Sequence, residues 1–499
     1  MAKNLVYDIH DKPKFGNMLI FALQQVLAIL AATIAVPAII GLPTQMPAAI
    51  FGAGVGTLIY QLFTKRKSPV FLGSSFAFLS SLGVALAYGY CGILIGSIVA
   101  GLVYVVLALI IKLVGTNWVG KLMPPVIIGP TVTIIGLSLA RNAMGDIVKA
   151  NADAVNGDYN LVGLLCGLIT FLVVIICSTQ KKYTMPKLIP FILGIAAGYV
   201  AASVFTVIGI LTGAEYLQII DWSPVVNNFV DADGAFKGIS AFFSLPKFSL
   251  VEGIKELVSG NMSEEIFNAT LIKDADGNLV LNELGNPQSY AKVISLSGIL
   301  EVAVAFLPVA LVVFAEHIAD HKNLSTIIDR DLIKDPGLSR TLLGDGVGSI
   351  MGTAFGVCPN TTYGESVGCV AITGNASVIT ITTTAFMCMI LSFISPLMAV
   401  LQTIPSCVMG GVCLTLYGFI AVSGLKMFKE LDLNENKNLF VVSAILIAGI
   451  GGLSLQIPYA LAENGAVANT IQVTSIATAL LLGIATNFIL SKFDKKKEN

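Results

Sequence analysis

Apolar runs about as long as a membrane is thick recur from one end of this chain to the other, separated by short polar or Gly/Pro-punctuated turns. A membrane-crossing helix needs about 20 predominantly apolar residues. The pattern predicts segments at 16–41, 46–63, 69–89, 91–112, 121–140, 160–178, 187–209, 293–316, 342–357, 364–376, 377–401, 404–425, 438–453 and 468–490, fourteen in all. Those near 69–89, 342–357 and 364–376 are short, interrupted by Gly and Ser, or both. Interrupted segments in corresponding parts of two halves point to a ligand site. The largest polar stretch, 210–291, falls between the seventh and eighth segments. Within it FSLVEGIKELVSG predicts a short amphipathic helix, and TLIKDADGNLVLNE a β-hairpin turning at Asp276-Gly277. Asp274, Asp276 and Asn278 do not make a calcium loop, since the glycine is fourth in DADGNL where an EF-hand requires it sixth.

Composition fixes the class as all-α integral membrane. Of 499 residues 55% are hydrophobic and 12% charged, with a mean hydropathy of +0.85, against about 25% charged residues in a globular domain. A net charge of −1 gives no support to a nucleic-acid-binding surface. The eight cysteines lie mostly in apolar runs without a CxxC pair and read as small buried hydrophobes. The first sixteen residues, MAKNLVYDIHDKPKFG, show no signal-peptide cleavage pattern. Basic residues then orient the chain. Lys65, Arg66 and Lys67, Lys112 and Lys121, Lys181, Lys182 and Lys187, Lys426, Lys429 and Lys437, and the tail lysines 492 and 495–497 fall on one side. The other side is poor in Lys and Arg near the membrane, although the 141–159 loop carries Arg141 and Lys149. The positive-inside bias and an even segment number predict that both termini are cytoplasmic, with 210–291 outside.

Two places put polar chemistry at membrane depth. In LVVFAEHIADHKNL, Glu316 follows a long apolar run and Asp320, four residues on, shares its helix face, whereas His317 and His321 face elsewhere. A carboxylate at that depth costs on the order of 3 kcal/mol and normally lines a bundle interior or water path. In FGVCPNTTYGESVGCVAITG, Pro359 and Asn360-Thr361-Thr362 predict extended backbone over 357–362 and a helix starting near Tyr363, with Glu365 in its first turn. Such a break turns unpaired N–H groups toward the membrane interior. SPVFLGSSFAFLSSLG in the first half echoes it, with Gly73-Ser74-Ser75 followed by Phe76. Accepting carboxylates plus donating N–H groups match a small planar molecule bearing ring N–H and C=O groups, on which Phe76 or Tyr363 stacks. A metal would draw three or more converging ligands, and a phosphate would draw Arg or Lys at depth. Neither pattern is present, and no cofactor is expected.

LQQVLAILAATIAVP at 23–37, FLGSSFAF at 71–78, AEHIADH at 315–321, PNTTYGESVGCVAIT at 359–373 and PSCVMGGVCLTLYG at 405–418 resemble the uracil permeases of the nucleobase–cation symporter-2 (nucleobase–ascorbate transporter) family, over nearly the whole chain apart from 250–290. The resemblance implies seven plus seven segments in an inverted repeat with short extended breaks in spans 3 and 10. It implies a core domain of 1–115 and 292–402 (spans 1–4 and 8–11) and a gate domain of 116–209 and 403–499 (spans 5–7 and 12–14), with 210–291 an extracytoplasmic loop. It further implies proton-coupled import of uracil across a bacterial cytoplasmic membrane, often by a homodimer. Glu316 and Glu365 would then bind the ring N–H groups, backbone N–H groups of Phe76 and Gly364 the carbonyls, and Phe76 and Tyr363 would wall the pocket. Asp320 takes the position linked to proton coupling, and Gln24, Gln25, Ser75, Thr362 and Ser366 support the site.

Three positions depart from the family pattern. Gln24 is followed by Gln25 rather than His, the signature reads Glu365-Ser366-Val367-Gly368 rather than Glu-Asn-x-Gly, and Thr373 precedes Gly374 rather than Arg. Ser366 has a shorter reach than Asn, which bears on pocket tuning. Thymine or xanthine is the alternative substrate and a channel the competing class. An enzyme is disfavoured, because no nucleophile–base pair or metal cluster stands out.

Overall fold

The computed structural model describes residues 5–149, 159–231, 233–272, 279–281, 287–461 and 467–494. The first half opens with α1 (Phe15–Ile39) and α2 (Met46–Phe63), neither carrying a charged residue. Three extended residues follow as β1 (Leu72–Ser74), then a 3-10 turn over Phe76–Phe78 and the short α3 (Leu79–Leu86). Next come α4 (Gly89–Val114), α5 (Asn117–Leu122), α6 (Pro125–Asp146), α7 (Leu161–Thr179), α8 (Thr184–Leu188) and α9 (Pro190–Thr212). The polar stretch folds as short helices α10 (Ser223–Phe229), α11 (Ser249–Ser259) and α12 (Glu264–Ala269). Antiparallel bridges Leu271–Ser289 and Leu281–Pro287 follow, while the predicted turn at Asp276-Gly277 lies outside the described residues.

The second half repeats the order. It comprises α13 (Leu296–Ile328), α14 (Leu338–Phe355), β2 (Asn360–Thr362), α15 (Gly364–Thr373), α16 (Val378–Leu391), α17 (Ser395–Gln402), α18 (Ser406–Lys426) and α19 (Asn436–Ile450). A hairpin of β3 (Leu455–Leu461) and β4 (Val467–Val473) leads into α20 (Ser475–Asp494). Among the described residues nine helices are long and apolar enough to cross a membrane, and a helix falls in each of the fourteen predicted stretches. Two boundaries differ from expectation. α20 starts seven residues late, because the alternating, β-branched run from Val467 to Val473 pairs as a strand instead. α13 extends twelve residues beyond the predicted end at Glu316, since polar residues on a face buried by neighbours continue a helix as well as apolar ones do.

The helices pack as two groups. In one, α2 and α4 clasp α14, α13 lies on α4, and α1 and α2 meet α16. In the other, α6 packs on α18 and α19, α7 on α9 and α18, and α19 on α20. Small residues set how closely the first group closes. A Cβ on Gly52 of α2 would lie 2.1 Å from the Gly352 carbonyl of α14, so this backbone approach exists only with glycine.

Candidate functional site

The two breaks meet. β1 and β2 form an antiparallel pair, with Leu72 opposite Thr362, Gly73 opposite Thr361 and Ser74 opposite Asn360. The ladder continues on both sides, Ser75 N–H donating to the Pro359 carbonyl at 2.9 Å and Tyr363 N–H to that of Phe71 at 3.1 Å. Pro359 and Asn360 explain the second break. The first lacks the N–H that a helix would use, and the Asn360 amide donates to the Gly52 carbonyl at 3.1 Å. Because the strands are antiparallel, the helical turns that follow them leave in opposite directions with their N-termini facing across the pair. No side chain caps either start, so the first N–H groups at Phe76 and Gly364 are available to a ligand. Gly73 makes room for this arrangement. A Cβ there would lie 2.3 Å from the Tyr363 ring, whose hydroxyl donates to the Ser74 carbonyl at 2.9 Å.

A cavity of about 650 Å3 opens beside these starts, within the range of small-ligand sites. Ser74, Ser75, Phe76, Thr361, Thr362, Tyr363, Gly364 and Glu365 line it from the breaks, and Glu316, Asp320 and Asn323 from α13. The opposite wall comes from the second group, with Val132, Ser178, Phe191, Phe419 and Ser423, and with Lys187 and Lys426 at the ends of their helices. The cavity is therefore a cleft between the two groups. Phe76 bridges them, its ring edge-on to Tyr417 of α18 at 5.5 Å. The hydroxyls of Ser75 and Thr361, both on residues that line the cleft, are buried and make no hydrogen bond within the protein.

Every residue expected to touch substrate, Glu316, Glu365, Phe76, Tyr363 and Gly364, lines this one cleft, as does Asp320. Glu316 sits well inside the 33-residue α13, not at its solvated end. Thr362 ties the second break to that helix by donating to Asp320 Oδ2 at 2.8 Å. Gln24, Gln25 and Ser366 stand behind the wall. The Ser366 hydroxyl accepts from Gln25 and from Phe71 N–H at 3.1 Å, so it binds α1 and the first break to α15. Gln24 reaches Met185 Sδ at 3.2 Å, across to the second group.

A second buried layer lies behind α13. His317 Nδ1 pairs with Asp345 of α14 at 2.7 Å and its Nε2 with Thr341 at 3.0 Å. His321 Nε2 meets the Tyr60 hydroxyl at 2.7 Å, which also bonds Ser68. Asp345 is not among the residues the sequence singles out, although a carboxylate inside the predicted 342–357 segment is the signal that points to it. The apolar wall from the second group left no local signal. Among the described residues no cluster of three or more His, Cys, Asp and Glu could hold a metal ion.

Comparison with known proteins places this geometry. The Xan_ur_permease family model, described as "Permease family", matches residues 16–244 and 280–457. The uracil permease of Bacillus caldolyticus is 34% identical over 99% of this chain and 96% of its own length. That of Escherichia coli K12 is 30% identical over 96% and 93%. Among solved structures, the murine anion transporter Slc26a9 in its inward-facing state superposes with a TM-score of 0.57 at 10% identity, covering 97% of this chain and 69% of that one. That likeness carries the fold alone, a seven-plus-seven inverted repeat of helices. With its family model matched in both halves and these relatives aligned almost end to end, the chain is a multi-pass membrane protein that belongs to the Xan_ur_permease family of permeases.

Proposed function

We propose that this permease is a secondary active transporter that imports uracil across a bacterial cytoplasmic membrane together with protons. The observation that carries the reading is the cleft, where two opposed, uncapped helix starts and the carboxylates of Glu316 and Glu365 surround one small volume. Uracil has two ring N–H donors and two carbonyl acceptors. Glu316 and Glu365 accept from the N–H groups, the backbone N–H groups of Phe76 and Gly364 donate to the carbonyls, and the Phe76 and Tyr363 rings cover the faces. The names of the aligned relatives support uracil as the substrate. Asp320, one helical turn from Glu316 and held by Thr362, takes the proton-coupling role.

Residues 1–115 with 292–402 act as the core that carries the site, and 116–209 with 403–499 as the gate against which it moves. Lys187, Thr326 and Lys426 line the cleft and are exposed; they belong to ends that the charge bias assigns to the cytoplasm, together with both termini, so the conformation is read as open inward. The test is uptake of labelled uracil by purified protein in proteoliposomes under imposed proton or sodium gradients. Saturable uptake driven by the proton gradient, with counter-flow exchange, is the expected result. Non-saturable flux, or accumulation indifferent to the proton gradient, overturns the reading.

A further inference from the structure

Helix α11, in the polar stretch between the two halves, is docked inside out. Its small and polar positions face the protein. The Ser249 hydroxyl donates to the Gly356 carbonyl, the Cys91 thiol to the Gly253 carbonyl at 3.1 Å, and Glu256 accepts from Tyr90 N–H at 2.8 Å and Ser263 N–H at 3.1 Å. Its apolar stripe faces outward. Leu250, Ile254, Leu257 and Val258, spaced as one helix face, are 44, 52, 61 and 83% exposed. A loop helix surrounded by water is built the other way round, because covering each such side chain is worth about 1.5–3 kcal/mol. The surroundings of this stripe are therefore not water.

We infer that α11 is an interfacial helix, embedded by its apolar stripe in the bilayer leaflet on the side of this loop. The occupant is lipid because the stripe continues a lipid-facing surface. α11 lies across the start of α4, where a Cβ on Gly253 would lie 3.0 Å from Leu94. One, two and three turns further along the same face of α4 come Ile98, Leu102 and Val106, 43, 51 and 53% exposed on a helix that crosses the membrane. A second part of the loop repeats the relation. Phe243 bridges to Ile394 just past the end of α16 and is 63% exposed, as is Ile390 in the last turn of that helix. At the edge of the α11 stripe Lys255 is ion-paired to Glu252 at 2.7 Å, its stem apolar and its ammonium free to reach head groups. An apolar face in the plane of the interface with charges at its rim is what monotopic helices present to membranes.

The test uses the full-length protein with Trp118 and Trp222 replaced by Phe, carrying a single new tryptophan at Val258→Trp or, separately, Ile254→Trp. Glu264→Trp in the same loop is the control. Each is purified as a monodisperse species and reconstituted into phospholipid vesicles with or without lipid brominated on its acyl chains. The stripe positions are expected to emit to the blue of the control, to be quenched several-fold more by brominated lipid, and to be several-fold less accessible to iodide. Equal iodide quenching at all three positions, without a bromolipid effect, overturns the inference. So does protection from both quenchers that depends on protein density in the vesicle, since a second copy would then cover the stripe.

Discussion

The two helix breaks share a backbone plan and differ in chemistry. Each is a three-residue strand leading to an uncapped helical turn. The first, Gly73-Ser74-Ser75-Phe76, has no ionisable group. It opens with a 3-10 turn and an eight-residue helix. The second brings Thr362, Tyr363 and Glu365, and goes directly into a ten-residue helix. The inverted repeat thus supplies backbone donors from two opposed directions. Side chains then break the symmetry, since the carboxylates that line the cleft, Glu316 and Asp320 on α13 and Glu365 on the break, all come from the second half. A ligand whose donors and acceptors are unevenly arranged would be held in one orientation by this inequality, where a fully symmetric scaffold would offer two.

The largest effect is expected from removing the inequality. Glu365→Gln places an amide donor where a ring N–H would point. It should cost about 2–4 kcal/mol, about 30- to 1000-fold in uracil affinity by calorimetry. Wild-type affinity in a folded, monodisperse Glu365→Gln protein would falsify the contact. Breaking what the two regions share comes next. Gly73→Ala sets a methyl group against the Tyr363 ring and should destabilise the protein by roughly 1–3 kcal/mol. Affinity should fall with it by about tenfold, as the opposed starts lose register. Thermal unfolding and binding are to be measured on one preparation, and a loss in neither means that the ladder does not set the pocket.

Asp320→Asn sharpens the comparison on the acceptor side. Asparagine keeps an oxygen for the Thr362 hydroxyl but cannot carry a proton on and off, so affinity should stay within about tenfold. Accumulation driven by a proton gradient should disappear while counter-flow exchange survives. Unchanged, pH-dependent accumulation in the same vesicles would move the coupling role elsewhere, with Glu316 the first candidate.

The smallest effect concerns the loop, outside the repeat. Burial raises the Glu256 carboxyl above its ordinary range, opposed by the N–H groups of Ser263 and Tyr90. A raised value in the docked state means that docking is favoured below the undocked carboxyl's titration range. That contribution is lost as pH rises through the shifted value. Hydrogen exchange of the α11 amides, corrected for intrinsic rate, should therefore show slightly more opening toward neutral pH, and Glu256→Gln should flatten the trend. A trend of opposite sign would show that the two hydrogen bonds outweigh burial.

Much of the site was legible because it depends on local backbone chemistry. Pro359 brings no N–H donor and Asn360 favours caps and turns, so the pair disfavours helix locally, and Glu316 in an apolar run needs an interior to face. The pairing of the breaks was not legible, since strands of three residues carry no periodicity and their partners come from opposite halves. Asp345 escapes the pattern because its partner, His317, lies off the face of α13 that carries Glu316 and Asp320. The pattern assigns β4 to the start of the last segment, because a short apolar run fits strand and helix alike. The amphipathic stretch at α11 predicts a helix, and one forms there. Its direction is not predicted, since periodicity gives a stripe without saying what the stripe touches.

The β1–β2 ladder also bears on how the protein is made. Leu72 is synthesised about 290 residues before Thr362, its partner. Until then the backbone groups of the first break have no ladder to join, in a medium where each unsatisfied group costs several kcal/mol. The third segment therefore cannot settle when it leaves the ribosome. It has to wait at the insertion machinery or at the water interface while most of the chain follows, and it locks only when the second break arrives. Biogenesis should then be all-or-none, with truncations before residue 360 leaving the first half exposed to quality-control proteolysis and the complete chain released from it in one late step.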